Sequence, residues 1–233
     1  MKGIDVSELN GYEPLDWLAI KAAGMDFAIC RTGFGKGGID PTFARNVHDA
    51  HDAGLICGAY HYSYALTPAD AIIEAHFCKR IIHEAGVLLE LPVFFDMEDA
   101  DGYKSRHGFH FSRKHITDIC AAFLDAIKPL DCGVYASLSW LDNFIDWRSL
   151  HCPIWNAQLG KATSGNSPTA LKSVTISSTV IYSTIKQKPL PFWRGLFFVC
   201  ALSAKLSIFA KIQLGTVRYK ICFISRYVTN PKY

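Results

Sequence analysis

Residues 92–102 read PVFFDMEDADG. An apolar run suited to a buried strand ends in four acids, Asp96, Glu98, Asp99 and Asp101. Successive side chains of a strand point to opposite faces, so Asp96 and Glu98 emerge on one face about 7 Å apart, with Met97 turned the other way. Asp99 and Asp101 fall on the other face or in the loop beyond. Taken alone, this D-x-E fits a solvated strand end with a turn at Asp101-Gly102 better than it fits a working carboxylate pair.

The flanking sequence supplies the context. KGIDV (2–6), FAICRTG (27–33), LICGAYHYS (55–63), LPVFFDME (91–98), CGVYAS (132–137) and CPIWNAQ (152–158) are short, apolar and mostly continuous. Strands covered on both faces have that pattern. Between them stand helical stretches with conventional punctuation: DWLAIKAAG with Gly24 as a stop, a segment ending at Gly54, one from Thr67-Pro68 to Gly86, and one from Ser112 to just before Pro129. Repeated βα units predict an α/β fold with a parallel sheet, doubly wound or closed into a barrel. Polar and aromatic residues gather near the C-terminal strand ends: Asp5, Arg31, Tyr60, Tyr62, Asp96, Glu98, Tyr135, Trp155 and Gln158. Parallel α/β folds place their sites at that end.

Half of the 233 residues are hydrophobic, enough for one sizeable core. The net charge of +3 hides an asymmetry: residues 1–150 hold all 21 acids against 13 Lys and Arg, whereas residues 151–233 hold 11 basic residues and no acid. The eight cysteines form no C-x-x-C pair, which argues against a zinc ribbon or a disulfide scaffold; most read as small buried hydrophobes. MKGIDVSE leads straight into strand-like sequence without an apolar signal-peptide core, so export by the ordinary secretory route is not expected.

Competing motifs are weaker. GFGKGG (33–38) matches G-x-G-x-x-G, but the next strand ends in Ala-Tyr-His-Tyr where a nucleotide site needs an acid for the ribose, so a turn or a glycine-rich loop near a cleft is the better reading. His107, His110 and His115 lack a Cys or acid at ligand spacing and read as a basic solvated loop. His61, flanked in sequence by two tyrosines, is a packed histidine or a cleft residue, with packing the better reading, and neither Ser63 nor Ser137 sits in a G-x-S-x-G elbow. Carboxylates from two strands flanked by aromatics remain. Aromatic rings stack on sugar faces, one carboxylic acid can protonate a glycosidic oxygen, and a second carboxylate can stabilise positive charge at the sugar carbon.

GIDVSELNG (3–11) followed by Asp16-Trp17, FAICRTGFG (27–35), F-x-x-N (43–46), GAYHYSYA (58–65), ELPVFFDMED (90–99), GVYAS (133–137) and PIWNAQ (153–158) together resemble the glycoside hydrolase family 25 lysozymes, the N-acetylmuramidases of phage endolysins and bacterial autolysins. The likeness covers residues 2–158, in the family's order and spacing. It implies an irregular TIM-like β/α barrel and cleavage of the β-1,4 bond between N-acetylmuramic acid and N-acetylglucosamine in bacterial peptidoglycan, at the cell wall. It further implies Glu98 as general acid with Asp96 and Asp5 beside it, and Arg31, Tyr60, Tyr62, Tyr135, Trp155 and Gln158 along the sugar groove. The anion of Asp96 would favour the protonated form that Glu98 needs for donation. Retention of anomeric configuration is implied; whether a carboxylate or the substrate's N-acetyl group assists is left open. No metal, cofactor or nucleic acid is expected, and the protein is expected to be a monomer.

The likeness lapses after Gln158. A following Tyr, a W-Q-Y strand and a final V-D-x-N strand whose aspartate enters the groove are all missing. The chain therefore reads as a barrel over 1–160, with its last two strands in doubt, and an acid-free tail over 161–233. Out-of-frame coding explains the loss of motifs, acids and periodicity together. A folded end with replacement strands, VTISSTVIYSTI (174–185) first among them, is the alternative that would preserve activity. A membrane-associating tail is disfavoured because Lys205 and Lys211 interrupt GLFFVCALSAKLSIFAKIQL (195–214), each costing about 3 kcal/mol at mid-bilayer.

Overall fold

The computed structural model describes residues 1–159, 172–176 and 220–223. Six strands match the sequence reading: β1 (Lys2–Val6), β2 (Phe27–Phe34), β4 (Ile56–Tyr62), β5 (Val93–Asp96), β6 (Cys132–Ser137) and β7 (Ile154–Leu159), with the two-residue β3 (Gly38–Ile39) folded back on β2. The six pair in parallel in the order β1, β2, β4, β5, β6, β7. Two tail segments, β8 (Lys172–Ile176) and β9 (Lys220–Phe223), continue the sheet. β8 runs antiparallel to β7 and parallel to β9, and β9 runs antiparallel to β1, so the sheet returns on itself. The parallel order thus holds for six strands and breaks at the closure. β8 overlaps the expected strand 174–185 in its first residues; the rest of that segment and the apolar run 195–214 lie outside the described residues.

The helices are α1 (Trp17–Ala22), α2 (Phe43–Asp52), α3 (Pro68–Ala85), α4 (Tyr103–Arg106), α5 (Arg113–Ala126) and α6 (Leu138–Asn143). Their ends follow local chemistry. Thr67 caps α3 by accepting from the Asp70 amide while the Asp70 carboxylate accepts from the Thr67 amide, Pro68 opens the first turn, and Gly86 ends the helix in the left-handed region at φ 63°. Among the described residues no helix is long and apolar enough to cross a membrane.

Alternation along the strands builds two cores. Ile4, Val6, Ala28, Cys30, Cys57, Ala59, Val93, Phe95, Val134 and Ala136 face outward into a large layer shared with the helices, where Phe95 stacks on Phe123 with ring centroids 4.1 Å apart. Phe27, Ile29, Phe94, Tyr135 and Trp155 face inward and fill the barrel. Glycine makes that filling possible, because a side chain at Gly3 would collide with the ring of Phe27 and one at Gly133 with the ring of Phe94. The packed interior is the floor on which polar side chains at the strand ends rest.

Candidate active site

One row of inward-facing residues crosses the sheet at the C-terminal strand ends. Tyr62 of β4 is in register with Asp96 of β5, Asp96 with Tyr135 of β6, and Tyr135 with Trp155 of β7. Asp5 of β1 and Arg31 of β2 continue the row on the other side, and Glu98 joins it from the loop just past β5. Together with Leu9, Phe34, Tyr60, Tyr64, Ala100 and Asp101 these side chains line an open groove of about 430 Å³. Met97 points away and is fully buried in the helix-side core, which is why Asp96 and Glu98 open to the same side.

Asp96 and Asp5 sit low in the groove, 4% and 7% exposed, whereas Glu98 is half-buried on the wall. The tyrosines register all three charges. Burial raises the pKa of Tyr135 first, and Asp96, Glu98 and Asp5 add to it. For Tyr62 burial is followed by Asp96, Glu98 and Asp101; for Tyr60 burial is followed by Asp5. Tyr64 is pushed up to about 12, by burial and then by its hydrogen bond to Asp101. These phenols keep their protons through any neutral range and remain available as donors to carboxylates or to sugar hydroxyls. Trp155 is only 2% exposed and packs against Tyr135, Phe94 and Tyr60 at centroid distances of 4.6, 5.3 and 6.0 Å, so it is groove floor.

Arg31 has a structural occupation as well as a place on the groove. Its Nε donates to Asp40 at 2.9 Å and its Nη2 to Glu8 at 2.8 Å, and the Glu8 amide donates to the same Asp40 oxygen at 2.9 Å. The guanidinium thus ties β2 to the 3-10 turn after β1 and to the segment leading into α2.

Eight of the nine residues singled out in the sequence, Asp5, Arg31, Tyr60, Tyr62, Asp96, Glu98, Tyr135 and Trp155, meet in this groove. Gln158 lies in β7 opposite Ser173, and its side chain falls outside the described residues. Asp101 and Tyr64 were missed by that reading. The Tyr64 hydroxyl donates to Asp101 at 2.8 Å, and Asp101 also accepts from the Tyr103 amide at 3.0 Å. Burial opposes the charge on Asp101, but these donors with Arg106 and Lys104 outweigh it and hold its carboxyl below the ordinary range. Tyr64 continues the i, i+2 series of Tyr60 and Tyr62, a signal that was available.

GFGKGG forms the β2–β3 hairpin and borders a smaller hollow of about 240 Å³ that shares Phe34 and Tyr64 with the groove. His107 stacks on Tyr103, and the His115 ring bonds the Leu66 carbonyl at 2.9 Å. Among the described residues no group of three or more His, Cys, Asp and Glu is placed to hold a metal ion.

The family model described as glycosyl hydrolases family 25 matches residues 4–182, further along the chain than the motifs are legible. Lysozyme M1 of Streptomyces globisporus is 27% identical over 165 residues, 69% of this chain and 55% of that protein. The autolytic lysozyme of Clostridium acetobutylicum is 27% identical over 162 residues, covering 69% and 45%. The chain therefore spans about half the length of these curated relatives. The crystal structure of the CTP1L endolysin superposes with a TM-score of 0.63 at 24% identity, over 81% of this chain and 71% of that one, a likeness of fold. With the family model matched across most of its length, the chain belongs to glycosyl hydrolase family 25.

Proposed function

We propose that this protein is a peptidoglycan muramidase, hydrolysing the β-1,4 bond between N-acetylmuramic acid and N-acetylglucosamine in bacterial cell walls. The supporting observation is the convergence of carboxylates from two separate strands in one aromatic groove, with Tyr135 under the influence of Asp5, Asp96 and Glu98 together. Glu98, half-exposed on the wall, delivers a proton to the glycosidic oxygen. Asp96 and Asp5, deeper in the groove, are placed to stabilise the positive charge that develops at the sugar carbon. Tyr60, Tyr62, Tyr64 and Tyr135 offer rings for sugar faces and hydroxyls for sugar oxygens. Arg31 holds the Asp5 side of the groove in shape through Glu8 and Asp40.

The test is clearing of bacterial cell walls with release of reducing ends. Glu98→Gln should lower kcat by roughly 10²–10⁴-fold with folding intact, the range for loss of a general acid; equal clearing by that variant rejects the role. A second reading is a wall-binding protein with impaired catalysis. It is favoured by one feature: residues 151–233 contain no acid, so the closing strands β8 and β9 bring none to the groove. Retention on insoluble peptidoglycan without reducing ends would support it.

A further inference from the structure

Behind the groove a lysine is buried that the proposed chemistry does not use. Lys104, in α4, is 1% exposed. Its ammonium donates to the Ser63 carbonyl at 2.5 Å and to the Glu98 carbonyl at 2.8 Å, and stands 5.9 Å from the centre of the Tyr62 ring. Ser63 lies between the groove residues Tyr62 and Tyr64, and Glu98 lies just past β5. One side chain therefore joins the tyrosine wall at the end of β4 to the loop that carries the acid. The loop is closed from the other side by Asp99, which accepts from the Lys104 amide at 2.7 Å and from the Ser105 amide at 3.1 Å.

The charge is costly where it stands. Burial lowers the Lys104 pKa, opposed by the anions around it: Glu74 from α3, then Asp96, Asp99 and Asp101. Removing this cation alone would leave the surrounding anions and two backbone carbonyls without their buried partner, so a loss of stability accompanies its replacement. Its geometry adds a positional role. Both backbone carbonyls it holds belong to segments that must stay in fixed relation for a proton to reach a bound sugar oxygen.

We infer that Lys104 is a positioning residue for Glu98: its ammonium fixes the backbone beneath the acid and locks it to the tyrosine wall of β4. The inference rests on Glu98 as the acid, and its test separates the two ideas. Native enzyme, E98Q, K104M and E74Q are assayed on solubilised peptidoglycan strands for kcat and KM, and by hydrogen exchange at amides 98–106. Glu74 faces Lys104 but makes no bond to Glu98, so E74Q controls for loosening of the buried cluster.

Lys104→Met should lower kcat by about 10–100-fold with KM within about twofold, the cost of a misplaced reacting group, while E74Q stays within about twofold of native in both. Exchange at 98–106 should rise in K104M alone. The inference is overturned if K104M keeps native kcat, if only KM changes, or if E74Q loses as much. Insolubility of both K104M and K104Q would also overturn it, because a positioning role requires a folded enzyme with a displaced acid. If the native enzyme releases no reducing ends, the muramidase reading fails by itself. Hydrogen exchange then decides on Lys104, equal rates in K104M and E74Q counting against it.

Discussion

His61 alternates with Tyr60 and Tyr62 in β4 and faces the other way, fully buried between the rings of Phe77 and Phe123. Its Nε2 lies 2.8 Å from the Gly35 carbonyl, which can only accept, so Nε2 carries the proton and Nδ1 accepts from the Thr32 hydroxyl at 2.9 Å. Burial pushes its pKa down from 6.5 to about 4. The unfolded chain thus takes up a proton that the folded chain refuses. The contribution of His61 to stability is fully present above pH 6.5 and is lost as pH falls towards 4, about 2 kcal/mol of it between pH 7.5 and 5. Urea midpoints at those two pH values should fall less in His61→Gln than in the native protein; equal falls would show that the acid sensitivity lies elsewhere. The packed role of His61 was readable from the strand alternation. The grip of Arg31 on Glu8 and Asp40 was not, because those partners lie 23 and 9 residues away and only the folded register brings them together.

Among the elements, legibility follows the strength of the end signals. α3 carries Thr67, Pro68, Asp70 and Gly86, and its observed span agrees with them. The turn Glu8–Asn10, α4 and α6 are three to six residues long, too short for helical periodicity to show, and the sequence reading passed over them. That omission mattered for the site, since the α4 segment holds Lys104 and begins just beyond Asp101. GFGKGG shows the converse: its spacing imitates a phosphate loop, yet the chain turns back at once into β3 and no helix starts there. The capping box of α3 should have a measurable value. Thr67→Ala removes the acceptor for the Asp70 amide and should cost about 1 kcal/mol, a fall in Tm of roughly 2–4 °C for a chain of this size. Unchanged melting would mean that packing of α3 against α5, and not its cap, sets the stability of that end.

At the scale of the whole molecule, closure of the sheet depends on strands that the sequence patterns barely announce. The parallel series ends at β7, whose free side is taken by β8 from Trp155–Ile176 to Leu159–Lys172, and β1 receives β9 from Lys2–Phe223 to Asp5–Lys220. Among the described residues β8 and β9 pair in parallel, with Val174 opposite Cys222. The strand pattern at 174–185 announced β8 in part, whereas β9 went unread, because its partner β1 lies at the other end of the chain. Their removal has a definite expected result. A chain ending at Leu159 keeps the groove side chains among the described residues, including Asp5, Asp96 and Glu98, but leaves β7 and β1 each with one edge of unpaired backbone donors and acceptors beside an opened interior. Phe27, Phe94, Tyr135 and Trp155 would then face a gap, and exposed apolar strand edges pair with other copies. The truncated chain should elute as soluble aggregate in size exclusion and lose its cooperative thermal transition, while the full chain elutes as one species and melts once. A monomeric truncation with a sharp transition and an active groove would mean that the six parallel strands hold the carboxylates together by themselves, and that the tail contributes nothing to the site.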